Sequence, residues 1–180
     1  MLPELERLEL GFKTTSADTY ICDRKHLVTG VSLGFTIDYD VKLSNGECLQ
    51  RPLVWAPTQK SEWIWSLIYK RPIPPVAVHK TDKTSDRTYE VIDGKQRLST
   101  IGEFLRDEFP LIHGNHEYRF SELPGDYQDR VMHGRPVLGY TAYNLTEIDK
   151  IRWFKWINYA GTPQDWSHIQ KLEKLLSEGI

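Results

Sequence analysis

The stretch VIDGKQRLSTI (91–101) carries a carboxylate, a glycine, two cations and an amide within five consecutive positions, Asp93 to Arg97. β-Prone residues precede it, and Leu98, Ile101 and Leu105 recur at helical spacing after it, so it reads as a strand–turn–helix junction. The first-turn N–H groups of a helix have no partners within the helix, and the helix dipole adds positive potential there. Gly94, Lys95, Gln96, Arg97, Ser99 and Thr100 therefore form a candidate phosphate-binding group, with Arg97 able to grip phosphate oxygens in a bidentate way. Asp93 would repel an anion unless a divalent cation bridged the two, which makes it the candidate metal ligand. A second reading stands beside this one: a plain helix start with Asp93 as N-cap and solvated charges behind it.

Two further clusters carry polar groups that suit a site. In Gln50-Arg51-Pro52, an arginine before proline lies on extended backbone that can aim its side chain; an exposed arginine at a strand end is the alternative. In FKWINYAGT (154–162), Asn158 falls at a helix end and Gly161 in the turn beyond. Asn158 has the groups to read a base or sugar edge, or to satisfy the last carbonyls of its own helix.

The elements that must position these clusters follow from periodicity. Residues 35–43 alternate strictly, with Phe35, Ile37, Tyr39, Val41 and Leu43 on one face, which predicts a half-buried strand. Asn45-Gly46 predicts a tight turn into Glu47-Cys48-Leu49. A helix is expected from Pro57, with Trp63, Ile64, Leu67 and Ile68 on one face, ended by Pro72, Pro74 and Pro75. Then come a strand at 76–79, a polar loop at 80–87, a strand at 88–92 and the Asp93 junction. His113 to His116 predicts a hairpin turn, 124–133 a short helix, and 137–145 a strand. Thr146 with Asp149 predicts a capping box opening a helix to about Ile157. After the break at Gly161-Thr162-Pro163, a last amphipathic helix carries Ile169, Leu172, Leu175 and Leu176 and stops at Gly179. Interleaved helices and strands without a regular βαβ cadence predict one compact α+β domain over residues 1–180.

The ordered set QRPLVW (50–55), RPIPPVAV (71–78), YEVIDGKQRLSTI (89–101), FSELP (120–124) and FKWINYAGTPQ (154–164) resembles the DGQQR-motif N-terminal domain of GmrSD-type restriction systems. That domain is similar in turn to the ParB/sulfiredoxin superfamily, and the resemblance spans about residues 47–170. It implies a mixed sheet with surrounding helices, and binding of a nucleoside triphosphate (ATP, GTP or CTP) with Mg2+, often with hydrolysis, coupled to DNA processing. Carried over by position, Asp93, Gly94, Gln96 and Arg97 match the signature, as do Gln50 and Arg51 before it and Asn158 and Gly161 after it. Two positions depart from the pattern: Lys95 stands where the family has its first glutamine, and Leu49 where a tyrosine usually precedes Gln-Arg. The superfamily also contains free-serine kinases whose Asp-Gly-His-His-Arg motif resembles Asp93 to Arg97. In that reading Lys95 and Arg97 hold phosphates, Asp93 binds magnesium, and Glu47 deprotonates an acceptor hydroxyl of a small molecule or a hydroxymethylated base. A third reading is non-catalytic, a nucleotide-sensing regulator of a partner nuclease.

Composition narrows the classes. The chain has 180 residues, 23 basic and 25 acidic, so a net charge of −2 gives no global case for nucleic acid. Between residues 70 and 97, however, seven basic side chains face four acidic ones. Lys80, Lys83 and Arg87 are the candidate rim for DNA backbone or an acceptor. Six tryptophans offer stacking platforms or core. No apolar run approaches membrane-spanning length, and the N-terminus lacks the pattern of an export signal. With two cysteines, a reducing cytoplasm is expected, and the resemblance implies that of a bacterial or phage-infected cell. Larger relatives carry a His-Asn-His nuclease segment that these residues do not contain, so DNA cleavage by the chain alone is not expected. The expected partners are the nucleotide, DNA and a partner nuclease; a homodimer stays open.

Overall fold

The computed structural model describes residues 19–20, 27, 31–32, 35–83, 86–134, 137–159, 170–172, 174, 175 and 177. Its strands are β1 (Thr19–Tyr20), β2 (Val31–Ser32), β3 (Phe35–Asp38), β4 (Val76–Lys83), β5 (Asp86–Asp93), β6 (Leu111–His113), β7 (His116–Tyr118) and β8 (Leu138–Tyr143). The helices are α1 (Pro57–Ile68), α2 (Lys95–Leu105), α3 (Gly125–His133) and α4 (Glu147–Tyr159), with a 3-10 turn at Phe120–Glu122. Six strands form one mixed sheet in the order β1-β8-β4-β5-β3-β2, and β6 pairs with β7 alone. β4 runs antiparallel to β5 and parallel to β8, while β3 runs parallel to β5. The α+β expectation is met.

Both faces of the central strands are covered. Val76, Val78, Tyr89 and Val91 join the core formed with α1 and α2 through Ile64, Leu67, Leu98, Ile101 and Phe104. Ala77 and Ile92 face the other way, against Leu49, Ala142, Ile151, Trp153 and Phe154. Strands buried on both sides read as continuous apolar runs, which is how 76–78 and 91–92 appear in the sequence.

Several elements follow the expectations closely. Gly46 takes a φ of +84° in the turn between Val41–Leu43 and Cys48–Leu49, and Leu49 N–H donates to the Val41 carbonyl. Gly114 turns β6 into β7. Thr146 and Asp149 form the expected reciprocal cap, with Asp149 N–H donating to Thr146 Oγ1 at 3.2 Å and Thr146 N–H to Asp149 Oδ2 at 3.1 Å. Residues 170–172, 174, 175 and 177 are helical, with Leu172 buried. Gly161, Ile169, Leu176 and Gly179 lie outside the described residues.

Two expectations need correction. The alternation of 35–43 keeps its faces, since Ile37, Val41 and Leu43 are buried, but the strand stops at Asp38. Asp38 Oδ1 accepts the Asp40 N–H at 2.8 Å, a local turn that competes with the ladder. The 80–87 segment is not a polar loop. β4 continues to Lys83 and β5 begins at Asp86, with Thr81 Oγ1 accepting the Thr88 N–H across the hairpin at 3.0 Å. Its polar composition belongs to an extended two-stranded ribbon.

The sheet's central hairpin positions the Asp93 junction. The β4–β5 register shifts between Ala77 and Val78, so that Ala77 opposes Asp93 while Val78 opposes Val91. This bulge at the end of β5 re-phases the chain just before α2. Gly94 then adopts a φ of +107°, and a Cβ there would lie 2.5 Å from Val76 Cγ1. Any other residue would meet both backbone strain and a steric clash.

Behind β4 and β5 lies a charge cluster. Glu90 Oε2 receives His79 Nδ1 at 2.6 Å and Lys150 Nζ at 2.5 Å, tying the sheet to α4. His79 Nε2 accepts the Leu145 N–H at 3.1 Å, which leaves the ring proton on Nδ1 to be donated to Glu90. Burial pushes the Glu90 carboxyl upward, but the bonds from His79 and Lys150 outweigh it and hold the group below its ordinary value of 4.5.

Two outcomes follow for stability. Gly94→Ala should lower the unfolding free energy in urea by about 2–4 kcal/mol, combining backbone strain and overpacking. Gly46→Ala, with a φ of +84° but nothing within 4 Å, should cost clearly less. For Glu90, a depressed folded-state value means its stabilisation is complete above about pH 4.5 and is lost as pH falls through that lower value. Glu90→Gln should therefore lower stability at neutral pH by about 1–3 kcal/mol and flatten the acid-side loss seen in pH-dependent urea melts.

Candidate functional site

At the C-terminal end of β5, a pocket of about 160 Å3 is lined by Gln50, Arg51, Trp55, Asp93, Gly94, Lys95, Gln96, Arg97 and Phe154. Segments separated by as many as a hundred residues in sequence thus share one concavity. The 50–55 segment forms one wall, the β5–α2 junction the floor, and α4 contributes Phe154.

Each lining side chain has a distinct environment. Arg97 Nη2 pairs with Asp93 Oδ2, one helical turn away. Its Nη1 donates to the Pro74 carbonyl at 2.8 Å and the Pro75 carbonyl at 3.0 Å. The Arg97 carbonyl accepts from Trp63 Nε1 at 3.1 Å. The proline run before β4 therefore supplies acceptors for the junction's arginine. Lys95, only 7% exposed in its side chain, pairs with Asp40 at the turn after β3. Gln96 Oε1 accepts the Val54 N–H at 3.1 Å and the Trp55 N–H at 3.3 Å, while its Nε2 donates to the Pro52 carbonyl at 2.9 Å. Gln50, nearly buried, donates through Nε2 to the Val91 carbonyl at 2.6 Å. Arg51, half-buried, has no hydrogen-bond or ion-pair partner among the described residues.

The electrostatic balance follows directly. Two of the three lining cations are matched by carboxylates, Lys95 by Asp40 and Arg97 by Asp93. Arg51 is left uncompensated, beside the start of α2, whose N-cap Gly94 offers no side-chain cap to the first-turn N–H groups. A net positive charge at an uncapped helix start attracts an anion.

The expected site residues separate into three groups. Gln50, Arg51, Asp93, Gly94, Lys95, Gln96 and Arg97 line the pocket together. Asp93 is not the N-cap of α2; that position is Gly94, and the Asp93 carboxylate neutralises Arg97 instead. Thr100 is buried and neither it nor Ser99 lines the pocket. Asn158 is also buried, with Nδ2 donating to the Phe154 carbonyl at 2.7 Å, so its amide serves its own helix. Glu47 is exposed in the hairpin turn, where its N–H donates to Asn45 Oδ1 at 2.9 Å, and it does not line the pocket. Gly161 is outside the described residues. The expected basic rim does not surround this pocket. The β4–β5 register puts Lys80 three residues from Ala77, about 10 Å along the strand, and Lys83 about 20 Å along, with Arg87 paired opposite Asp82 at that far end. Lys80 Nζ lies 5.8 Å from the centre of the Tyr89 ring.

Trp55 and Phe154 are lining residues that the sequence reading did not assign. Each stands inside a recognised motif, and the signal was their place at its apolar end. Trp55 packs edge-on against Trp63 with ring centres 6.0 Å apart, which fixes it as a wall. A metal centre is not preformed here: among the described residues, no three His, Cys, Asp or Glu side chains are grouped to hold an ion. Among the described residues, Asp93 is the single carboxylate of the lining. No helix among the described residues is long and apolar enough to cross a membrane.

No curated protein and no solved structure gives a significant match to the chain. The family model for the GmrSD restriction endonuclease N-terminal domain matches residues 47–177, which include every segment lining the pocket. The chain belongs to the GmrSD restriction endonuclease N-terminal domain family, which gives it a restriction-related context.

Proposed function

We propose that the pocket at the β5–α2 junction binds the polyphosphate of a nucleoside triphosphate and that the chain uses it for phosphoryl chemistry in DNA restriction or modification. One observation carries this reading. Arg51 projects an unmatched guanidinium into a pocket whose other charges are paired, next to the uncapped start of α2. Guanidinium and backbone N–H donors in that combination suit phosphate oxygens.

The side chains then take different parts. Arg51 grips the phosphates. Arg97, engaged by Asp93 and two carbonyls, is a positioning residue that holds the junction against the proline segment. Gln96 fixes the 52–55 wall, and Gln50 fixes its start on β5. A pocket of about 160 Å3 has room for a phosphate chain and leaves the nucleoside at the rim, where Trp55 offers an aromatic surface. A magnesium ion arriving with the nucleotide would neutralise phosphate charge, with Asp93 its one lining carboxylate. DNA and a partner nuclease belong to the same proposal as the downstream targets of nucleotide binding.

A second reading, nucleotide sensing without turnover, is favoured by the lack of a free carboxylate base among the described lining residues. Asp93 is held by Arg97, and Glu47 lies outside the lining, so no other lining carboxylate stands ready to deprotonate a water or an acceptor hydroxyl. The kinase alternative is weakened by the same arrangement.

Calorimetry with ATP, GTP and CTP in the presence of magnesium tests the proposal, followed by mass spectrometry of the products with and without modified DNA. Arg51→Ala should weaken binding by about tenfold or more, the effect of losing charge-assisted hydrogen bonds, without moving the unfolding midpoint. Arg97→Ala should lower both. Absence of binding by the wild type, or equal binding by Arg51→Ala, overturns the proposal. Binding without product supports sensing over catalysis.

A further inference from the structure

A second cavity, of about 260 Å3, shares no lining residue with the first. It opens beside the C-terminal end of α1 and is walled by Trp65, Tyr69, Tyr118, Tyr127 and His113, with Leu123 and Pro124 closing one side. α1 separates the two sites: Trp63 turns toward Arg97, whereas Trp65 and Tyr69 face this cavity.

Its walls are held in place. Trp65 Nε1 donates to the Ile112 carbonyl at 2.8 Å, and the indole stacks on Tyr69 with centres 5.2 Å apart and planes 16° apart. His113 packs at 5.4 Å from the same indole. Tyr69 and Tyr118 are nevertheless 52% and 37% exposed, so aromatic surface is presented to solvent rather than consumed by the core. Two arginines stand at the rim. The Arg71 guanidinium lies 5.6 Å from the Tyr69 ring centre, and that of Arg130 lies 5.5 Å from Tyr127. Arg71 also meets Glu62 at 3.4 Å, an exposed pair that a phosphate can replace at little cost.

We infer that this cavity receives an unstacked nucleobase of a DNA strand, with Arg71 and Arg130 meeting the adjoining phosphates. The chemistry of the lining selects among ligands. A quaternary ammonium would suit the aromatic walls, but the lining has no carboxylate to match its charge among the described residues, and both rings flanked by arginines already have a cation beside them. A sugar's many hydroxyls call for several convergent polar partners, whereas the described lining is mainly aromatic, with polar atoms limited to His113 and the tyrosine hydroxyls. A base offers a π-face to the rings and brings a polyanionic backbone to the arginines. The volume suits one ring system, not a whole nucleotide. The inference does not depend on what the Asp93 pocket holds; the restriction context enters only in the choice of DNA over RNA.

Fluorescence anisotropy with a labelled oligothymidylate and a matched abasic strand tests it on the full chain. The wild type should bind the base-bearing strand more tightly, with affinity that falls as salt rises. Tyr69→Ala with Tyr118→Ala should weaken that binding by about tenfold or more and remove the preference over the abasic strand. Arg71→Ala should weaken both strands alike. The exposed single change Tyr69→Ala serves if the double variant unfolds, with the urea midpoint and calorimetric triphosphate binding as independent readouts. No binding by the wild type, equal affinity for the abasic strand, unchanged binding by the tyrosine variants, or tighter binding of oligouridylate overturns the assignment.

Discussion

Everything at the β5–α2 junction depends on the Arg97 side chain. It neutralises Asp93 one turn earlier, bridges the Pro74 and Pro75 carbonyls, and sits on a residue whose own carbonyl receives the Trp63 indole. Helix α2, helix α1, the end of β5 and the approach to β4 meet on this one residue. A guanidinium suits the task because it presents several N–H donors in a fixed plane, so a carboxylate and two carbonyls are satisfied at once. Lysine could not hold that geometry. Nor does any buried side-chain polar atom among the described residues lack a partner, so the charge of Arg97 is accommodated rather than merely tolerated.

This organisation divides the pocket's cations by role. Matched pairs shape the floor, and the unmatched Arg51 sets its polarity. The division explains how Lys95 can be nearly buried in a pocket that also holds two arginines: Asp40, supplied by the turn that ends β3, offsets its charge locally. The interruption of the 35–43 alternation is thus connected to the site. Had the strand run on without the Asp38 turn, residue 40 would have remained within a ladder rather than at the bend where it meets Lys95.

Much of this was legible in the sequence. The strand–turn–helix at Asp93 was visible because apolar period changes there from strand to helix, and Thr146 with Asp149 announced α4 by cap chemistry alone. The co-assembly of Gln50-Arg51 with Asp93–Arg97 followed from ordered motifs. What escaped was pairing. Sequence shows which residues carry charge but not which charges meet, so it gives no sign that Arg97 is held by Asp93 while Arg51 has no partner among the described residues. The ribbon 80–87 escapes for a different reason: its sequence is polar throughout, without the apolar alternation by which strands are recognised. Glu47 and Asn158 looked suited to a site by type and position, yet one projects from a turn and the other closes on its own helix.

The bonds of Gln96 carry a last implication. Its side-chain amide accepts from two successive peptide N–H groups and donates to a peptide carbonyl two residues earlier, so a single side chain acts as the neighbouring strand for 52–55. Glutamate in its place would keep the acceptor, lose the donor to Pro52 and bring a negative charge close to Arg51. Asparagine would be one methylene short. An amide of that length lets the wall be stitched to α2 while leaving the electrical character of the cleft to one arginine.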